Sequence, residues 1–311
     1  MSEPHLGNAV QGLKQKALST AWAQWSALGA AVSNAQAAHS IIDPEALLLL
    51  SLLLAEEECR LWDLLGWWAR VGSHLLSVQR VKNLTRAYPN PMSSTLGQFA
   101  HLARSQGGDS RWKSLARPQA ATKIRFKKGF GERLTLVEPA TLFLRLRAGF
   151  GVGIKADVLG YLLGLRGTWV IARDITEATS YTAQAIRRAL EDMAAARLVE
   201  TIRQTPTKYR VDPQGWVDLL GLREAPPVWR DWQSLFAFIG HLSEWSRGDA
   251  NLKTSPYVLS SRARELFGRH QSAFIRNQIT VPDPRDYPRE RYLEAFEDTL
   301  CSLGEWMQKK A

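Results

Sequence analysis

The stretch "ALLLLSLLLA", residues 46–55, limits the folds open to this chain more than any other. Its near-continuous run of apolar positions leaves a helix with almost no polar face to turn to water, so it must be covered on most sides. A bilayer-spanning helix needs about 20 such residues. Here Glu56, Glu57 and Glu58 follow at once. The block therefore predicts a helix buried in a bundle or at a partner interface. Its start is marked by Asp43 as N-cap, Pro44 at the first helical position and Glu45 in the first turn.

Helical patterns dominate both ends of the chain. Residues 7–36 read as an Ala-rich helical segment. "EECRLWDLLGWWARVGSHLL" continues as a second helix or a kinked extension, with Leu61, Leu64, Leu65 and Trp68 at helical spacing. Toward the C-terminus, Trp232, Leu235, Phe236, Ile239 and Leu242 share one stripe. "SSRARELFGRHQSAFIRN" gives another helix, and Tyr292, Phe296, Leu300 and Leu303 line a last one. The 12 tryptophans mostly neighbour Leu in such patterns, which makes them packing residues first. A chain of 311 residues has room for two or three domains. Whether the terminal helices form one bundle or two stays open.

Several function classes find no footing. The N-terminus lacks a basic start followed by an apolar run, so no secretory signal is expected. Cys59 and Cys301 lie far apart, with no second Cys or His at metal-ligand spacing, and a reducing cytoplasm fits. His241 and His270 have no Cys or carboxylate at a useful spacing, and Asp283, Asp286 and Glu290 read as loop and cap residues. Gly149, Gly151 and Gly153 follow a helix in a G-x-G-x-G order. The dinucleotide fingerprint needs a strand first and a different spacing. They are expected to make a tight helix–helix junction instead. The expectation is a cytoplasmic protein without catalytic residues, metal, cofactor or membrane span.

The charge points elsewhere. The net charge is +10, and residues 61–136 carry 13 Lys and Arg against three Asp and Glu. Within that quarter, 86–118 shows the Gly, Ser, Pro and Asn punctuation of a loop. "KIRFKKGFGERLTLVEP" then alternates, predicting a β-hairpin with Lys123, Arg125, Lys127 and Lys128 on a basic face. Such a block meets a polyanion or is solvated surface.

Residues 154–216 hold a recognisable order of elements. A helix over 155–165 stops at Arg166-Gly167, and "TWVIARDITEATSY" gives a short second helix with Ile171, Ile175 and Ala178 inward. Ser180-Tyr181 turns, and Thr182 is a plausible N-cap for a third helix. In that helix Ile186, Leu190 and Met193 form one stripe, and Gln184, Arg187, Arg188 and Glu191 fall opposite. "LVETI", a Pro-containing turn and "KYRV" close the order as a two-stranded hairpin. The stretch "ARDITEATSYTAQAIRRALEDMAAARLVE" with "RQTPTKYRV" resembles bacterial winged helix-turn-helix transcription regulators of the MarR and ArsR kind, over about a fifth of the chain.

The resemblance implies a mainly α fold: a central winged helix-turn-helix with a small β-hairpin wing, flanked by N- and C-terminal helical segments and the second, basic β-hairpin. Boundaries follow at 1–88, 89–137, 138–222 and 223–311. It also implies a double-stranded DNA partner. The third helix would present Gln184, Arg187 and Arg188 to base edges, with Tyr181 and Thr182 on phosphate and Arg203 and Lys208 beside the wing tip. A homodimer is the usual state for such readers. The order of segments is also similar to AbiE-type antitoxin regulators, although their winged helix is N-terminal and this one is central. The alternative expectation is an adaptor or antitoxin holding a protein partner through its N-terminal helices, betrayed by an exposed apolar patch on 46–68.

Overall fold

The computed structural model describes residues 3–32, 36–89, 92–117, 130, 134–247 and 254–311. From the N-terminus, α1 (Glu3–Ala27), α2 (Pro44–Leu54), α3 (Arg60–Val71), α4 (Val78–Thr85) and α5 (Met92–Ser105) build a helical body. A central unit follows. It holds α6 (Leu142–Phe150), α7 (Ile154–Gly164), β1 (Val170–Ile171), α8 (Ala172–Thr179), α9 (Ala183–Ala195), β2 (Glu200–Ile202), β3 (Lys208–Arg210) and α10 (Gln214–Leu219). The chain then returns to the body with α11 (Trp232–Ser246), α12 (Pro256–Arg269), α13 (Gln271–Arg276) and α14 (Arg291–Lys310). The protein is thus mainly helical with one small antiparallel sheet. Among the described residues no helix is long and apolar enough to cross a membrane.

Helix α2 is the axis of the body. Ten of its 11 residues are buried, surrounded by α1, α3, α4, α5 and α11. Asp43 caps it by accepting from the Ala46 amide at 3.0 Å. Each fully buried leucine contributes about 1.5–3 kcal/mol, so this one helix anchors the core. The terminal helices share that core: α14 lies along α1, and Leu13, Trp25, Leu48, Phe236 and Phe296 belong to one buried cluster. The Leu- and Trp-rich helices are therefore covered by the protein's own C-terminal segment. Among the described residues no large apolar side chain from 46–68 is exposed, which removes the patch expected for a partner there. Trp25, Trp68, Trp112 and Trp232 are fully buried, with Trp25 and Trp68 edge to face at 5.0 Å.

One sequence expectation fails in the basic quarter. Residues 86–118 are not one loop, because α5 and a 3-10 turn at Ser110–Ser114 lie inside them. Leu96, Phe99, Ala100 and Ala103 are buried at helical spacing, and Trp112 packs on Phe99 at 5.2 Å. Pro, Ser and Gly punctuation masked that stripe. The expected basic β-hairpin falls mostly outside the described residues; of it, Leu134 and Leu136 rest half-buried on the body's core. Lys123, Arg125, Lys127 and Lys128 lie outside the described residues.

The central unit has a second core of its own, made by α6 to α9, Val199, Val211 and Trp229. Gly151 and Gly153 lie in the short junction between α6 and α7, as expected, while the closest helix–helix approach is at Gly160, where a Cβ would stand 2.3 Å from the Phe143 ring. Of Gly149, Gly151 and Gly153 only Gly151 needs glycine, with φ at +84°. The sheet has the order β1-β3-β2, all antiparallel. Val170 and Ile171, expected at the head of a helix, instead form a third strand, pairing with Tyr209 and Lys208. The pairing leaves β3 bonded on both edges, and Arg210 stacks over Trp169 at 4.6 Å.

Candidate nucleic-acid interface

Helix α9 is laid down by its apolar stripe. Ile186 and Leu190 are fully buried and Met193 nearly so, against the core of the central unit. Thr182 caps it, accepting from the Ala185 amide at 3.3 Å. The preceding α8 is opened by Asp174, which accepts from the Ile171 amide at 3.0 Å, and closed by Ser180 in the left-handed region, φ 58°. A short turn therefore aims α9 away from α8. Its other face carries Gln184, Arg187, Arg188 and Glu191, all exposed.

The charges on that face are not neutralised from within. Asp192 pairs with Lys155 at 2.8 Å, and Glu200 with Arg210 at 2.8 Å. Lys155 holds the Asp192 carboxyl below the usual range, with Arg188 adding a smaller pull. Among the described residues no carboxylate stands within ion-pair distance of Arg187, Arg188 or Arg203. Arg203 is exposed just past β2. Lys208 is half-buried at the head of the central strand, facing Ile202 on one side and Ile171 on the other. Thr182 is exposed at the helix start, on the same helix as Gln184, Arg187 and Arg188, whereas the four basic residues of 123–128 lie outside the described residues.

Tyr181 turns the other way. Its hydroxyl donates to Asp157 Oδ2 at 2.8 Å inside the molecule, and burial pushes it well above the ordinary phenol range. The expected phosphate contact at this residue is corrected to an internal anchor. The signal was in the sequence: Tyr181 precedes the cap and Ile186 follows it by four, the placement of a hydrophobic staple.

Tyr181 ends a buried ionic network that sequence reasoning missed. Arg80 donates to Asp43 Oδ1 and Glu45 Oε2, both at 2.6 Å, and to the Thr179 carbonyl at 3.0 Å. Arg147 grips Asp157 through Nε at 2.7 Å and Nη2 at 2.9 Å, and Glu45 through Nη1 at 2.6 Å. Glu45 also accepts from the Ser77 amide at 2.7 Å. None of these five charged side chains is more than 4% exposed. Burial alone pushes the Glu45 carboxyl up; Arg147 and Arg80 overcome it and bring it down to about 2. Burial opposes charge on both guanidiniums as well, and the surrounding acids more than reverse it.

The network bolts the α8–α9 turn to the body. Asp43, Glu45 and Arg80 belong to the body; Arg147, Asp157 and Tyr181 to the central unit. Gln233 on α11 joins it, accepting from Ser180 Oγ at 3.0 Å and from Arg80 at 3.2 Å. A lone Arg147 among Leu144, Leu146 and Phe143, and a lone Asp157 in an apolar helix, were the available hint. The basic quarter is correspondingly less available than its count implies, since Arg80 is internal and Arg111 pairs with Asp109 at 2.6 Å.

No protein-family model, curated protein or solved structure matches this chain. Its function must be read from its own geometry.

Proposed function

We propose that residues 138–222 are a winged helix that binds double-stranded DNA through α9, and that the chain is a transcription regulator. The order helix, strand, helix, turn, helix, hairpin supports this, as does a wing whose central strand also holds β1. One observation carries it: the N-terminal half of α9 presents Gln184, Arg187 and Arg188 to solvent with no carboxylate pairing them among the described residues. Two uncompensated guanidiniums on a rigid helix suit a polyanion. Arg makes a bidentate contact with guanine and Gln with adenine, which adds sequence choice. Thr182 and Arg203, both exposed, would meet backbone phosphates, and the run from Lys123 to Lys128 would add sequence-independent attraction.

The test is binding of the purified protein to a duplex from its own upstream region, against a scrambled duplex, at two salt concentrations. A preference that survives the higher salt is the expected result. Equal binding that salt erases would reduce the interface to a basic surface.

A further inference from the structure

Along α4 and the 3-10 turn at Ser110–Ser114 the body carries positive charge that the buried network leaves unused. From residue 72 to 117 the chain holds seven Lys and Arg and a single acid, Asp109. Arg80 is spent inside the network, and Arg111 takes Asp109. Arg86, Lys113 and Arg117 are exposed and Lys82 is half-buried. Among the described residues no carboxylate pairs with any of these four. Like charges gathered without counter-ions repel one another, and an anion laid across them relieves the repulsion.

The four are neighbours. Lys82 and Arg86 stand one turn apart at the end of α4. Lys82 Nζ donates to Ser114 Oγ at 2.9 Å, which sets the residue after Lys113 against α4. Arg117 follows three residues later. Its amide donates to the Gly97 carbonyl at 3.4 Å, and a Cβ on Gly97 would stand 3.2 Å from its Cγ, so its side chain lies against α5.

The place where α4 is fixed gives the strip its direction. Asn83, the residue after Lys82, donates through Nδ2 to the Ser180 carbonyl at 2.9 Å, and Arg80 donates to the Thr179 carbonyl at 3.0 Å. Both carbonyls belong to the α8–α9 turn, and Ser180 is two residues before the Thr182 cap. The strip therefore begins beside the head of α9, held there by hydrogen bonds. The acid that shares a cleft with Asn83, Glu177, is taken up by Arg173 at 2.9 Å and Arg276 at 3.1 Å.

We propose that Lys82, Arg86, Lys113 and Arg117 form a second nucleic-acid surface, on which the phosphate backbone of the duplex continues beyond the head of α9. The inference rests on the duplex reading of α9 and adds a contact made by the body. Cations spaced along a surface attract any phosphate chain and read no base, so the strip supplies affinity while α9 supplies preference.

The test is the salt dependence of duplex binding by the full chain and by one variant carrying Arg86→Gln, Lys113→Gln and Arg117→Gln, all at exposed side chains. The variant's circular dichroism should match the wild type. Its plot of log binding constant against log salt should be flatter by about three units, roughly 0.9 for each lost phosphate contact, and equally so on the upstream and scrambled duplexes. A control that removes as much charge from α14, by Arg291→Gln, Lys309→Gln and Lys310→Gln, should stay within about one unit of the wild-type slope. A strip variant that keeps the wild-type slope, or a control that loses as much, overturns the proposal, whatever Arg187→Ala does to base choice. A strip variant that loses the slope while no duplex is preferred upholds the strip and removes α9 as the reader. A wild-type chain that binds no duplex at all overturns both.

Discussion

Arg80 and Arg147 on one side of this molecule, and Arg187 and Arg188 on another, share a side chain and almost nothing else. The first pair is fully buried and saturated, each guanidinium gripped by two carboxylates and a backbone carbonyl. The second pair is exposed on α9 with no acid in ion-pair reach among the described residues. In the buried one, desolvation is repaid only by complete pairing, and the result is one fixed arrangement. In the exposed one, water screens the charge and the side chains remain available to a ligand. Positive charge counted along the sequence therefore says little until each guanidinium has been placed.

The comparison breaks hardest at the buried end. Arg147→Met leaves Glu45 and Asp157 facing each other without their shared cation, and removal of one partner from such a pair costs about 3–5 kcal/mol. Chemical denaturation should show a lowered midpoint of that size. A loss under about 1 kcal/mol, the value of a surface pair, would mean that water reaches the network. Tyr181→Phe, which removes only the hydroxyl bonded to Asp157, should cost about 1 kcal/mol and leave the fold intact.

The exposed end should behave in the opposite manner. Arg187→Ala and Arg188→Ala should leave the denaturation midpoint unchanged and cost about 1–3 kcal/mol in binding to the preferred duplex, with relaxed base choice. Arg203→Ala should weaken all duplexes alike and flatten the salt dependence by roughly one contact. Equal losses on every sequence from the Arg187 change would reassign α9 to backbone contact.

Acid sharpens the contrast further. His270 is held down to about 4 by burial first, then by His241 and Arg269, so the unfolded chain takes up its proton before the folded one does. Stability contributed by that group is present above about pH 6.5 and is lost as pH falls toward 4. Glu45, ordinarily near 4.5 and here about 2, adds a second loss between those values. Asp231, pushed up by burial, offsets part of it. Denaturation midpoints between pH 7 and 3 should show both steps, and His270→Gln should abolish the upper one alone. A midpoint that does not move between pH 6.5 and 4.5 in the wild type would show the His270 ring to be hydrated.

Local signals alone were enough for much of the central unit. The i, i+4, i+7 stripe of Ile186, Leu190 and Met193 sets which side of α9 faces inward, and Thr182 and Asp43 set where α9 and α2 begin, because caps and periodicity act within a few residues. The order of elements over 154–216 was legible for the same reason. Strand β1 was not, since two residues form a strand only when β3 offers them a free edge. Helix α5 was hidden because Pro, Ser and Gly flank and interrupt its Leu96, Phe99, Ala100 and Ala103 stripe. The shared core of the terminal helices joins residues as far as 292 positions apart, and the Arg80–Glu45–Arg147–Asp157–Tyr181 chain residues as far as 102. No local rule pairs such residues. Only the packed tertiary structure decides which acid meets which base, because only there does removal from water force every charge to find its partner.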